Sequence, residues 1–344
     1  EDQVQEMTDY ALSHGVNYFD TAWPYHGCLS ETVIGKALNR HPRESWYLAS
    51  KYPGHQIAST YDPAAIFEEQ LKKCGVEYFD FYLLHNVYES SMNVYLDPKW
   101  GILEYFREQK RLGRIKHLGF SSHGGVEMLK EFLDIAGKDM EFCQIQLNYL
   151  DWTLQDAKAK VALLNQYNIP IWVMEPVRGG KLCKLPEADE NRLRSLRPEE
   201  TVPAWGFRFL QDIPGVTMGN IETFSSPAPL SPEERNVLLD IAEGMKSSIP
   251  CTGCGYCLES CPMELNIPML IATFNELKVA PVVNASMRVE FLPKEKQPSS
   301  CLGCGACTHM CPQNIHIPQV MRELSDKLKT MPKWADISRQ REEA

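Results

Sequence analysis

The stretch FDFYLLH (79–85) is an apolar run closed by a histidine, and the fold class turns on how it is read. Apart from Asp80 it does not alternate apolar with polar residues, as a strand wetted on one face would. A strand covered on both faces belongs to a parallel sheet flanked by helices. Working outward, the segments on either side keep that rhythm. Upstream lie the amphipathic PAAIFEEQLKKCG (63–75), the strand-like WYLASK (46–51), and ETVIGKAL (31–38), for which Ser30 is the expected N-cap. Before these come VNYFDTA (16–22), which reads as a buried strand, and DQVQEMTDYALSH (2–14), a helix with Val4, Met7, Ala11 and Leu12 on one stripe. Downstream, a helix near 102–112 leads to IKHLGFS (115–121), one near 125–136 to FCQIQLN (142–148), and one near 155–167 to IPIWVME (169–175). Strands alternating with helices admit a doubly wound open sheet or a (β/α)8 barrel. No G-x-G-x-x-G follows the early strands, which disfavours the open dinucleotide-binding sheet. The barrel needs eight strands, so one is expected before residue 1, and the piece PGVTM (214–218) is expected to be part of the last.

At 344 residues the chain has room for two domains. A formal charge of −10 argues against nucleic acid as a partner, because that surface would have to be basic. No apolar run reaches the ~18 residues of a membrane span, and no signal peptide is visible, although the chain begins with Glu1. The expected organisation is a barrel over 1–220, a Ser/Pro-rich linker over 221–234, a second domain over 235–331, and an extended or frayed tail over 332–344.

The second domain is read from its cysteines. Of the 12 in the chain, eight lie between Cys251 and Cys311. Cys251-x2-Cys254-x2-Cys257-x3-Cys261-Pro262 recurs 50 residues later as Cys301-x2-Cys304-x2-Cys307-x3-Cys311-Pro312. Gly253, Gly255, Ile267 and Pro268 recur with the same offset. Cysteines at this spacing wrap a cluster, and the glycines let the backbone turn close to sulfur. Structural zinc is the alternative, but its sites usually pair two CxxC units 12–20 residues apart. The repeat resembles the bacterial two-cluster ferredoxin motif. That resemblance implies one [4Fe–4S] cluster on Cys251, Cys254, Cys257 and Cys311, and a second on Cys301, Cys304, Cys307 and Cys261. A helix at 268–278 between the motifs suggests a helical ferredoxin-like domain. Ligation needs reduced thiols, so the expected compartment is the cytoplasm. Cys28, Cys74, Cys143 and Cys183 read as ordinary thiols, with Cys28 near the expected active site.

Polar residues stand where buried strands should stop: Asp20 with Tyr25 five residues on, Lys51, and His85. On a barrel these would meet at the C-terminal mouth. With DTAWPYHGCLSETVIGKAL (20–38), ASK (49–51) and LLHN (83–86), residues 1–220 resemble the aldo-keto reductases. The resemblance implies an oxidoreductase that reduces a small-molecule carbonyl. Tyr25 would be the general acid, Lys51 its tuner, Asp20 the anchor of Lys51, and His85 would orient the carbonyl or share the proton load. Trp23 is a candidate pocket wall. The resemblance further implies an NADP(H) site in which Ser121, Ser122 and Gln146 hold the carboxamide, with Met174 where the family usually stacks a tyrosine. The Ser/Lys/Arg cluster that would hold the adenine-side phosphate is not found in VTMGNIETFSS (216–226). Electron transfer through the clusters to the nicotinamide or to a redox partner protein is the reading of the fusion. The competing expectation is a non-enzymatic electron-transfer or partner-binding module whose barrel no longer binds nicotinamide.

Overall fold

A computed structural model describes residues 1–56, 58–217, 228–246, 248–279 and 283–333. They form two compact units, Glu1–Val177 with Pro186–Leu238, and Arg178–Leu185 with the chain from Leu239 onward. The division falls four residues later than the sequence suggests, and it moves a short segment after the sixth strand into the second unit. The centre of the expected linker and the tail from residue 334 lie outside the described residues.

In the first unit α1 (Asp2–Ser13) precedes β1 (Tyr18–Asp20), α2 (Ser30–Leu38), β2 (Tyr47–Tyr52), α3 (Pro63–Cys74) and β3 (Phe79–Leu84). Then come α4 (Met92–Leu96), α5 (Ile102–Arg111), β4 (Ile115–Ser122), α6 (Val126–Ala136), β5 (Cys143–Gln146), α7 (Asp151–Leu154), α8 (Ala157–Gln166) and β6 (Ile171–Met174). The helices α9 (Glu187–Leu196) and α10 (Val202–Gln211) lead to β7 (Val216–Thr217). The seven strands are all parallel and lie in sequence order, which is the winding of a (β/α)-barrel. Because every strand is parallel, all seven end at one edge.

Local chemistry explains the helix limits. Asp62 caps α3 by accepting from Ala65 N at 2.9 Å, Pro63 occupies its first position, and Gly75 ends it at φ 66°. Two expectations are corrected. VNYFDTA is not a fully buried strand: only Tyr18–Asp20 is extended, and these residues are part-exposed because β1 is an outer strand of the described sheet. Ser30 does not cap α2 from outside. It is the first helical residue, and its Oγ is within hydrogen-bond distance of Thr21 Oγ1 at 2.8 Å.

The sheet packs between helices through Leu48, Phe67, Tyr82, Phe106, Leu118, Phe120 and Phe132, all fully buried. On its other face Tyr18, Phe81, Phe142 and Trp172 meet, with Trp172 stacked on Phe142 at 4.2 Å and edge-on to Tyr18 at 4.6 Å.

The second unit contains α12 (Ile267–Val279), α13 (Val283–Glu290), α14 (Ala306–His309) and α15 (Ile317–Lys329); α11 (Pro232–Met245) crosses the division between the units. Leu270, Ile271 and Leu277 of α12 and Ile317, Met321 and Leu324 of α15 are buried in one apolar core. The expected helix at 268–278 is α12.

Candidate active site and cysteine-lined cavities

Parallel pairing carries the expected catalytic residues to one edge of the sheet. Lys51 lies opposite Leu83 in the β2–β3 ladder, one residue before β3 ends, and His85 follows β3 directly. Lys51 is fully buried, forms an ion pair with Asp20, and donates to Thr21 O at 2.9 Å. Asp20 also accepts from Tyr18 Oη at 3.1 Å and from Gln144 Nε2 at 3.3 Å. The carboxylate is thus held by three side chains from β1, β2 and β5.

Tyr25 leaves β1 on a loop in which His26, Gly27 and Cys28 all adopt left-handed φ values of 52°, 62° and 65°. That turn brings Tyr25 back over Lys51, whose ammonium lies 4.9 Å from the centre of the phenol ring. The edge of the Tyr25 ring meets His85 with centroids 5.6 Å apart. Asp20, Tyr25, Lys51 and His85 therefore form one constellation.

His85 is buried, and its Nδ1 has no hydrogen-bond partner among the described residues. Burial first, then the electrostatic effect of His55, Lys51 and His123, holds its pKa well below that of a free imidazole, so it is neutral at pH 7. His55 packs against it at 4.3 Å and is itself lowered to about 4 by burial. His123 is lowered to about 3, again by burial first and then by Lys160 and His55. Neither His55 nor His123 stands in a recognisable motif in the sequence, and only the return of its loop over β3 brings His55 to the site.

Beneath Lys51 lies a buried polar network that sequence reasoning also missed. Glu31 Oε1 accepts from Ser50 Oγ and Gln70 Nε2, each at 2.6 Å, and Gln70 Nε2 also donates to Lys51 O at 3.0 Å. Burial raises the pKa of Glu31 despite these bonds. Trp23 is not simply a pocket wall: Lys73 Nζ sits 3.6 Å from its ring centre. Cys28 is exposed on the loop.

The expected carboxamide contacts lie at the ends of β4, β5 and β6, but they are not equivalent. Ser121 Oγ accepts from Asn86 N at 2.8 Å, which leaves its own proton as a donor. Ser122 Oγ donates to Val87 O at 2.6 Å and accepts from Gly124 N at 3.1 Å, so its proton is committed to the backbone. Gln146 Nε2 donates to Asp151 Oδ2 at 2.7 Å, and Asn148 Nδ2 donates to the same oxygen at 2.6 Å. Ser121 and an oriented Gln146 fit an amide. Ser122 serves the loop beyond His85, and Met174 offers no flat surface. The stretch 218–226, where a phosphate site would be sought, lies outside the described residues.

In the second unit all eight motif cysteines are free thiols, and they divide crosswise. Cys251, Cys254, Cys257 and Cys311 line one cavity. Cys261, Cys301, Cys304 and Cys307 line another. The 50-residue offset extends to the walls: Pro268, Ile271, Pro312 and Ile315 in the first stand where Pro318, Met321, Pro262 and Leu265 stand in the second. Gly253, Gly255, Gly303 and Gly305 all have φ between 71° and 83°, a backbone that a Cβ would strain. Burial, then Cys254, Cys311 and Cys251, push Cys257 up to about 12, and burial first pushes Cys311 up to about 11. Four thiolates in such a cavity need a positively charged core between them.

Among the described residues no three His, Cys, Asp or Glu side chains close around a point as a single metal ion requires. A zinc ion would draw its sulfurs to roughly 3.8 Å of one another, given Zn–S bonds near 2.3 Å. A cubic cluster is larger and spaces its thiolates farther apart. Four thiols around each cavity are a soft donor set of the kind that a thiolate-bound metal centre uses.

Comparison with known proteins agrees with the barrel geometry. The model of the aldo/keto reductase family matches residues 1–290. A probable aldo-keto reductase 1 of Glycine max is 28% identical over 179 residues, covering 50% of this chain and 49% of that protein. An NADPH-dependent alpha-keto amide reductase of Saccharomyces cerevisiae is 31% identical over 148 residues, 42% of this chain and 45% of its own length. The chain spans about half the length of the curated relatives it matches. Among solved structures, the holo form of an aldo-keto reductase from Bacillus halodurans superposes with a TM-score of 0.55 at 24% identity, over 69% of this chain and 86% of that one. With a family model spanning most of its length, including the strands that carry Asp20, Lys51 and His85, this chain belongs to the aldo/keto reductase family.

Proposed function

We propose that this protein is a nicotinamide-dependent carbonyl reductase whose second unit carries two [4Fe–4S] clusters. The observation that carries the first half is the meeting of Asp20, Tyr25, Lys51 and His85 at one edge of the sheet. A bound nicotinamide supplies a hydride to the carbonyl carbon. Tyr25 Oη delivers the proton to the carbonyl oxygen. Lys51, paired with Asp20, places a positive charge beside the phenol and favours its anion, so the proton is released more readily than from an isolated tyrosine. His85, kept neutral by burial, orients the carbonyl oxygen without competing as a strong acid. Ser121 and Gln146 are the residues that fit the carboxamide.

Substrates with two adjacent carbonyl-type groups are the first to try. One relative is named an NADH-specific methylglyoxal reductase of Escherichia coli (strain K12) and another an NADPH-dependent alpha-keto amide reductase. The test is titration of anaerobically purified full-length protein with NADPH and NADH, followed by turnover of methylglyoxal. Saturable binding and substrate-dependent oxidation of the cofactor support the reading. No binding to protein with filled clusters overturns it in favour of an electron-transfer or partner-binding module, a reading that the committed Ser122 hydroxyl and Met174 favour.

For the second half, the support is the crosswise division of eight thiols between two matching cavities. About eight iron and eight sulfide per chain are expected; zinc in their place overturns the cluster assignment.

A further inference from the structure

The two cysteine cavities match in ligands and walls but not in the charge beside them. The segment Arg178–Leu185 follows β6 closely, yet its contacts make it part of the cysteine-bearing unit. Arg178, Gly179 and Gly180 turn it sharply with left-handed φ values of 52°, 58° and 84°. Arg178 is only 2% exposed, and its Nη2 donates to Pro250 O at 3.0 Å, the carbonyl just before Cys251. Lys181 N donates to Arg178 O at 3.0 Å; burial first lowers the pKa of its ammonium, which Cys251 raises and Arg178 lowers, so the group lies within electrostatic range of both. Two cations are thus held against the first motif.

The second cavity has a different neighbour. Lys296 Nζ donates to Met263 O at 3.1 Å and pairs with Glu264 at 2.7 Å, so its charge is largely offset and open to solvent screening. The repeat offers no second copy of the Arg178–Leu185 segment to this cavity. Internal duplication supplied matching ligands, and a segment from outside the repeat made the two environments unequal.

We propose that Arg178 and Lys181 raise the reduction potential of the cluster held by Cys251, Cys254, Cys257 and Cys311 above that of its partner cluster. One-electron reduction adds one negative charge to a cluster that is already anionic through its four thiolates. Nearby buried cations stabilise that added charge more than solvent-screened ones do. An electron delivered to the pair therefore rests on the cluster nearer Cys251. This rests on the two-cluster reading of the preceding section.

The test is a dithionite redox titration of the full chain, purified anaerobically and followed by electron paramagnetic resonance, with iron and sulfide measured on the same sample. Two separate midpoint potentials are expected. Lys181→Met should shift the higher one toward the lower and leave the lower unmoved, while Lys181→Arg should restore the separation. Arg178→Lys keeps the charge but loses the guanidinium bond to Pro250 O, and should move the higher potential in the same direction. Fully loaded clusters with coincident potentials, or equal shifts of both in Lys181→Met, overturn the tuning alone. A chain without iron and sulfide removes the cluster reading and the proposal together.

Discussion

Lys51 is the residue around which the site is built: it is fully buried, ion-paired with Asp20, and faces the ring of Tyr25. If Tyr25 delivers the proton, Tyr25→Phe should lower carbonyl reduction by ~10²–10⁴-fold. Nicotinamide affinity, measured by fluorescence titration, should stay unchanged; full activity in this variant would remove Tyr25 from the role. The histidines give a pH prediction. His55 is held neutral in the fold with its pKa lowered to about 4, against about 6.5 when unfolded. Below about pH 6.5 the unfolded chain binds a proton that the folded chain refuses. Stability is thus fully present above that pH and lost as pH falls toward 4. Urea midpoints measured from pH 7 to 4 should decline, and His55→Gln should flatten that decline. The four candidate catalytic residues were legible in the sequence because each ends a strand or its loop at family spacing. His55 and the Glu31 network were not, because each joins segments distant along the chain.

At the scale of elements, helix limits follow local chemistry and helix contacts do not. Asp62, Pro63 and Gly75 bracket α3 by capping rules that can be read directly from the sequence. The pairing of α3 with α2 depends on something less visible: a Cβ built on Gly35 would lie 2.5 Å from Cys74 O. Gly35→Ala should therefore destabilise the first unit by about 1–3 kcal/mol, even though alanine favours helix more than glycine does. Equilibrium unfolding in urea measures this, and a gain in stability would show that the helices can part without loss. The sequence reading passed over α4, α9 and α10.

For the whole molecule, if the second unit holds the proposed clusters, the two units should respond differently to loss of iron. The second unit buries a core of modest size, and eight of its thiols line cavities that a cluster would fill. Chelating iron under reducing conditions should unfold the second unit while the first retains its parallel sheet, giving a partial loss of helical circular dichroism. A single cooperative loss of both, or no loss at all, would contradict this. No helix among the described residues is long and apolar enough to cross a membrane.

The sequence by itself determined the alternation of strand and helix, the residues at the strand ends, and the 50-residue repeat of the cysteines. Each of these is a matter of spacing along the chain, where periodicity and ligand reach are local constraints. Only the tertiary structure decided that Ser122 is bound to the backbone beyond His85, that His55 joins the site, and that Arg178 and Lys181 lie beside Cys251. Those contacts join residues 30 to 72 positions apart. Such neighbours are set by how loops return over the sheet and into the second unit, which no local pattern records.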